Sequence, residues 1–109
     1  MTNLENENMR AILKTPDSEE LQIVEIENEL KALQKAVEGW IECVTLRDGI
    51  CLIVNADGKY SNLPVNCRFN GDWIKGNMLF VGSAGENFCS LTDGQIEEVK
   101  KIYKEGTKR

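Results

Sequence analysis

The spacing of apolar positions changes several times along the chain, and each change marks an element. Met9–Lys14, MRAILK, has strand character, and Thr15–Ser18, TPDS, is turn chemistry. Leu21, Ile23 and Glu25 then alternate with Gln22, Val24 and Ile26, which predicts a second strand paired with the first as a hairpin. From Asn28 the period becomes helical. Leu30, Leu33, Ala36 and Val37 fall on one face, with Glu29, Lys31, Lys35 and Glu38 outside it. Asn28 is the expected N-cap and Gly39 the expected C-cap.

Trp40–Arg47, WIECVTLR, alternates at period two again. Asp48-Gly49 is a hairpin signal. Ile50–Asn55, ICLIVN, is almost continuously apolar, as expected of a strand covered on both faces. Asp57-Gly58 marks a turn, and Tyr60–Gly76, rich in Asn, Pro and Gly, reads as mostly loop. Asn77–Gly82 is the last expected strand, and Ser83–Asn87 a loop. A final helix runs from Thr92 to about Tyr103, where Thr92 and Gln95 have capping-box spacing and Ile96, Val99, Ile102 and Tyr103 form the inner face. The pattern predicts an α+β fold, a mixed or mainly antiparallel sheet of about five strands with two helices packed on it. Residues 1–8 are expected to be a disordered tail, 9–103 the domain, and 104–109 a C-terminal tail.

Length and composition leave this picture intact. A chain of 109 residues, 41% hydrophobic and 28% charged, is one ordinary domain with a modest core. No apolar run nears the roughly 18 residues of a membrane helix. The acidic, polar start MTNLENENMR lacks the character of a secretory signal, so a cytoplasmic protein is expected.

Charge and cysteine content narrow the chemistry. The net charge is −5. Residues 1–40 hold four basic and nine acidic side chains, so the whole excess lies there, while residues 41–109 hold nine of each. Binding to a nucleic-acid backbone needs clustered Lys and Arg, and this distribution argues against it. An acidic face that meets a basic protein, and a merely solvated face, both fit. The absence of histidine removes Ser-His-Asp and Cys-His catalysis and imidazole ligation. Cys43, Cys51, Cys67 and Cys89 form no CxxC pair, so no structural zinc site is expected, and they read mostly as small buried thiols. No cofactor is expected.

The polar stretch Asn55–Asp72 is the candidate site. Asn55, Asn62, Asn66, Arg68, Asn70 and Asp72 fall close together. Asn side chains donate and accept, and the Arg fork suits phosphate or carboxylate, so the set suits a small polar or anionic ligand. The same Asn side chains equally suit holding a loop's own backbone in turns. Gly82-Ser83-Ala84-Gly85 matches neither a P-loop nor a dinucleotide fingerprint and reads as a tight turn. Trp40 and Trp73 read as core or rim aromatics.

Three segments resemble a known family. They are EIENELKALQKAVEGWIE at Glu25–Glu42, NLPVNCRF at Asn62–Phe69, and LFVG followed by ENFCSLTDGQIE up to Glu98. Together they resemble domain-of-unknown-function family 3846, small proteins of phages, conjugative elements and Gram-positive bacteria, over roughly residues 9–103. Glu38 replaces the first glycine of the pair expected before Trp40. The resemblance implies a mobile-element accessory protein and no particular activity. Its polar motif positions fall on Asn55, Asn62, Pro64, Asn66 and Arg68, and later on Phe88, Ser90 and Leu91. Small phage proteins often counter host defence, some by binding host proteins and some by sequestering nucleotide signals.

The resulting expectation is a non-enzymatic binding protein of phage or mobile-element origin. Asn55, Asn62, Asn66, Arg68 and Ser90 would hold a small polar or anionic ligand such as a nucleotide. The alternative is a protein–protein inhibitor or adaptor that uses the acidic N-terminal third.

Overall fold

A computed structural model describes residues 8–108. The expected N-terminal tail falls almost wholly outside them, and Asn8 already opens the first strand. Strands β1 (Asn8–Lys14) and β2 (Gln22–Glu27) form the expected hairpin, in register from Asn8↔Glu27 to Leu13↔Gln22. Helix α1 (Leu30–Val37) follows, then β3 (Ile41–Arg47) and β4 (Ile50–Asn55), a second antiparallel pair. A one-turn 3-10 helix at Gly58–Tyr60 leads to β5 (Val65–Phe69) and β6 (Asp72–Lys75). The chain ends with β7 (Met78–Ala84), β8 (Asn87–Cys89) and helix α2 (Asp93–Gly106).

The main sheet has the order β2-β1-β7-β4-β3, with β8 added to β7, and its pairings are antiparallel. β5 and β6 form a separate two-stranded sheet. The expected α+β class, mainly antiparallel sheet and two helices therefore stand. The sheet has six strands, and an unexpected hairpin lies beside it.

Period-two alternation sorts the core into two layers. Ile12, Ile50, Leu52, Val54, Met78 and Phe80 point to one face, where Phe69 of β5 and Ile96 and Val99 of α2 cover them. Met9, Ala11, Cys51, Ile53, Leu79 and Val81 point to the other, beneath Leu33 and Val37 of α1. These are the α2 face and the α1 face. β4 is buried along its whole length, as its apolar run requires. An aromatic triangle lies at the centre of the α2 face. Phe69 and Tyr103 stack with centroids 6.2 Å apart, and both stand near 6.3 Å from Phe80 in edge-on geometry.

Three local expectations are corrected. Asn28 does not cap α1. Glu29 occupies the N-cap without a side-chain bond, and the Asn28 amide donates to the Phe88 carbonyl of β8 at 2.8 Å. Leu30 is 54% exposed, so the buried stripe of α1 is Leu33 and Val37 with Ala36. At the other end the left-handed residue is Glu38 (φ 64°, ψ 40°), one position before Gly39. The Gly39 N–H donates back to Gln34 at 3.0 Å, which closes a Schellman-type end. Gly39 is needed for another reason, since a Cβ there would stand 2.7 Å from the Asn55 amide nitrogen.

α2 has the expected capping box. Thr92 Oγ1 accepts from the Gln95 N–H at 3.1 Å, and Gln95 Oε1 accepts from the Thr92 N–H at 3.0 Å. The helix continues to Gly106, so residues 104–106 are helical and not tail.

Candidate functional site

The segment read as a polar loop is mostly a hairpin. Asn70 (φ 52°) and Gly71 (φ 86°) both take left-handed conformations and join β5 to β6 in a tight turn. The inner side of this hairpin sends Cys67, Phe69 and Ile74 into the α2-face core. Its turn docks on the end of α2, where the Asn70 N–H donates to the Gly106 carbonyl at 2.9 Å.

Two of the expected site residues are committed to backbone. Asn55 is buried at the end of β4 on the α1 face. Its amide donates to the carbonyls of Val37 and Glu38 at 3.0 and 3.2 Å, and its oxygen accepts from the Asp57 N–H at 2.7 Å. It thereby satisfies carbonyls that the end of α1 leaves open. Asn77 does the same for Ala36 at 2.8 Å. Asn66 sits at the root of the hairpin. Its amide donates to the Lys14 and Gly76 carbonyls, both at 2.8 Å, and its oxygen accepts from Lys14 Nζ at 2.7 Å.

Lys14 was not singled out in the sequence, yet it is only 3% exposed. Its amine donates to Asn66 and to the Thr15 carbonyl at 2.8 Å. A buried amine is tolerated only when it is well hydrogen-bonded, and Asn66 supplies half of its bonds. Its place in a strand, two residues on from the core residue Ile12, was the signal available in the sequence.

The other expected residues do not converge with these. Ser90 Oγ accepts from the Arg10 N–H at 2.9 Å, near the start of α2. Arg68 is exposed on the outer side of the hairpin, directly across from Trp73. Asn62 is exposed and shares only a shallow depression with Asn55, Trp40 and Ser61.

A different cleft has the better lining. It holds about 220 Å³ between β3, the end of β4, the 3-10 turn and β6. Glu42, Val44, Lys59, Tyr60, Asp72, Trp73 and Lys75 line it, and Asn55 and Gly58 close one end. Tyr60 and Trp73 are 89% and 60% exposed, unusual for large aromatics that are neither core nor rim. Lys59 and Asp72 approach to 4.0 Å across the opening, while Lys75 is half-buried. Trp40, 69% exposed, stands on the adjoining depression.

The acidic excess lies elsewhere. Glu25, Glu27 and Glu29 line a shallow groove between β2 and α1, together with Lys31 and Lys35. Glu38 is at the opposite end of α1, so the N-terminal acids do not form one continuous face.

The four thiols are free, and only Cys51 is fully buried. Desolvation, reinforced by the neighbouring Cys51, pushes the exposed Cys43 thiol up to about 11. Burial likewise raises Cys67, opposed by Tyr103 and Lys14. Both shifts run opposite to what an activated nucleophile needs. Among the described residues no cluster of three or more Cys, Asp or Glu is placed to hold a metal ion, and no helix is long and apolar enough to cross a membrane.

Fold and surface thus define a small antiparallel α+β domain, its sheet covered by one helix on one face and by a helix and hairpin on the other. The chain belongs to the family described as Domain of unknown function (DUF3846), whose model matches residues 9–104. Comparison with curated proteins and with solved structures returns no match.

Proposed function

We propose that this protein is a non-enzymatic binding module of mobile-element origin that takes a small planar polar or anionic ligand, such as a nucleotide, in the cleft beside β3. The observation that carries this reading is the pair of exposed aromatics, Tyr60 and Trp73, next to Lys59 and Lys75. Aromatic faces stack on a base, and ammonium groups meet phosphate. The cleft's size limits how it could work. Ligand pockets commonly run to ~300–1,000 Å³, so about 220 Å³ encloses one ring system and leaves the rest of the ligand over the lysines. The ligand class is the one expected from the sequence, but of the polar residues singled out there Asn55 and Asp72 alone border this cleft, and the polar atoms of Asn55 are already used.

A mobile-element origin, as the sequence resemblance implies, would favour sequestration of a host signal as the role. The test is a panel of mononucleotides and cyclic dinucleotides read by thermal shift. A ligand that binds only the folded state raises Tm by mass action, and Trp73→Ala with Tyr60→Ala should abolish the rise. No shift across the panel at millimolar concentration overturns the reading.

A further inference from the structure

Among the described residues β3 is the last strand of its sheet, and the outward N–H and C=O groups of Ile41–Arg47 have no neighbouring strand there. Proteins usually protect such an edge with lysine, proline, an inward charge or a mid-strand bulge. The opposite edge, β2, carries Glu25 and Glu27, with Glu19 and Glu20 just ahead of it. β3 has no lysine or proline. Its register shift falls between Thr45 and Arg47, at the end next to the turn. Its middle, Cys43-Val44-Thr45, is uncharged and exposed, and Val44 is 41% open to solvent.

We propose that two copies of this chain pair through β3, antiparallel about a two-fold axis at Val44, to join their sheets into one. Glu42 and Val44 lie across from Val54 and Leu52, so they belong to the α2 face, and Cys43, across from Ile53, belongs to the α1 face. A two-fold axis perpendicular to the sheet keeps these faces aligned. It sets Val44 against the partner's Val44 and Cys43 against the partner's Thr45.

The charges favour a second copy as the occupant. On the α2 face Glu42 stands at one end of the strand, while Arg47, Lys101 and Glu105 line the groove at the other, with Glu105 already paired to Lys108 at 3.9 Å. Antiparallel pairing brings each Glu42 to the partner's Leu46, beside the partner's Arg47 and Lys101. Among the described residues neither Glu42 nor Lys101 has an ion-pair partner within 4.0 Å, whereas Arg47 is shared with Glu98 at 2.9 Å. Pairing β2 with itself would instead crowd glutamates together, and like charges across strands repel. Glu42 and Val44 also line the cleft, but the pairing rests on the β3 edge and not on the ligand reading, so sedimentation tests the dimer and thermal shift tests the ligand.

Sedimentation velocity of the full chain at micromolar concentration should give a concentration-dependent dimer. Val44→Lys should raise the dimer Kd by about tenfold or more without altering the monomer's melting curve, because Val44 is a surface residue, and Val44→Ile should leave it unchanged. Thr45→Cys should give a disulfide-linked dimer under mild oxidation, and adding Cys43→Ser should abolish that link. Glu42→Lys should weaken the dimer, and Glu42→Lys with Lys101→Glu should restore it. A monomer at every concentration overturns the proposal, whatever else the protein binds. So does a dimer that withstands Val44→Lys and fails to cross-link.

Discussion

The two faces of the sheet are closed by different means. On the α1 face an amphipathic helix lays Leu33 and Val37 over Cys51, Ile53, Leu79 and Val81, and two asparagines, Asn55 at the end of β4 and Asn77 just before β7, hold its last carbonyls. On the α2 face a helix alone does not reach across. The hairpin β5–β6 fills the rest, and it is fastened at its root by Lys14 and Asn66 and at its tip by the end of α2. One face is closed by apolar burial with polar capping. The other needs a buried polar joint to seat an element that has little apolar surface of its own.

The comparison breaks most readily at Asn66. Asn66→Ala removes an acceptor from a buried ammonium and strands the Lys14 and Gly76 carbonyls. Bonds to charged groups contribute about 1.5–3 kcal/mol each, and a stranded buried partner adds its own desolvation cost, so a loss of about 3 kcal/mol is expected. Chemical denaturation measures it. The double variant Lys14→Met with Asn66→Leu removes the charge together with its acceptor and should lose less than Asn66→Ala alone. If Asn66→Ala costs no more than a surface substitution, the joint does not hold the hairpin.

The α1 face offers a change of opposite sign. Glu38 sits in the left-handed region, where a side chain is penalised and glycine is not. Glu38→Gly should stabilise the protein by about 1 kcal/mol, seen as a higher Tm at neutral pH. Its own side chain makes no bond that this change would remove among the hydrogen bonds and ion pairs of the described residues. A fall in Tm would mean that the carboxylate contributes more at this end of α1 than the backbone strain costs.

The same contrast explains what was legible in the sequence. Elements closed by apolar burial announce themselves by period, as in β1, β2, β4, β7 and both helices. The hairpin did not, because its inward residues are few and its outward ones mix polar Arg68 with an exposed Trp73. Asn70-Gly71 was the signal that could have found it, flanked by VNCRF and DWIK, and the surrounding Asn, Pro and Gly masked it. The asparagines were conspicuous, but sequence cannot tell a side chain that meets a ligand from one that meets a carbonyl. Asn55 and Asn66 proved to be the second kind. The cleft beside β3 was invisible because Tyr60, Trp73 and Glu42 come together only when the hairpin folds back toward the sheet edge.

The smallest expected effect concerns pH on the α2 face. Burial, helped by the adjacent Cys67 thiol, pushes the Tyr103 hydroxyl from 10.0 up to about 12. Below 10 the phenol is neutral in both folded and unfolded chains, so it adds no pH dependence. Between 10 and 12 the unfolded chain ionises first, and its protons leave before those of the folded state. Stability therefore falls with rising pH in that window. Cys43, raised from 9.0 to about 11, acts in the same direction over a lower range. Tyr103→Phe keeps the stack on Phe69 and the edge contact with Phe80 and removes only the ionising group. The variant should lose less stability than the parent between pH 10 and 12 while matching it near pH 8, in denaturant titrations at each pH. Equal losses in the two proteins would place the Tyr103 hydroxyl in water, and with it the end of α2 away from the hairpin.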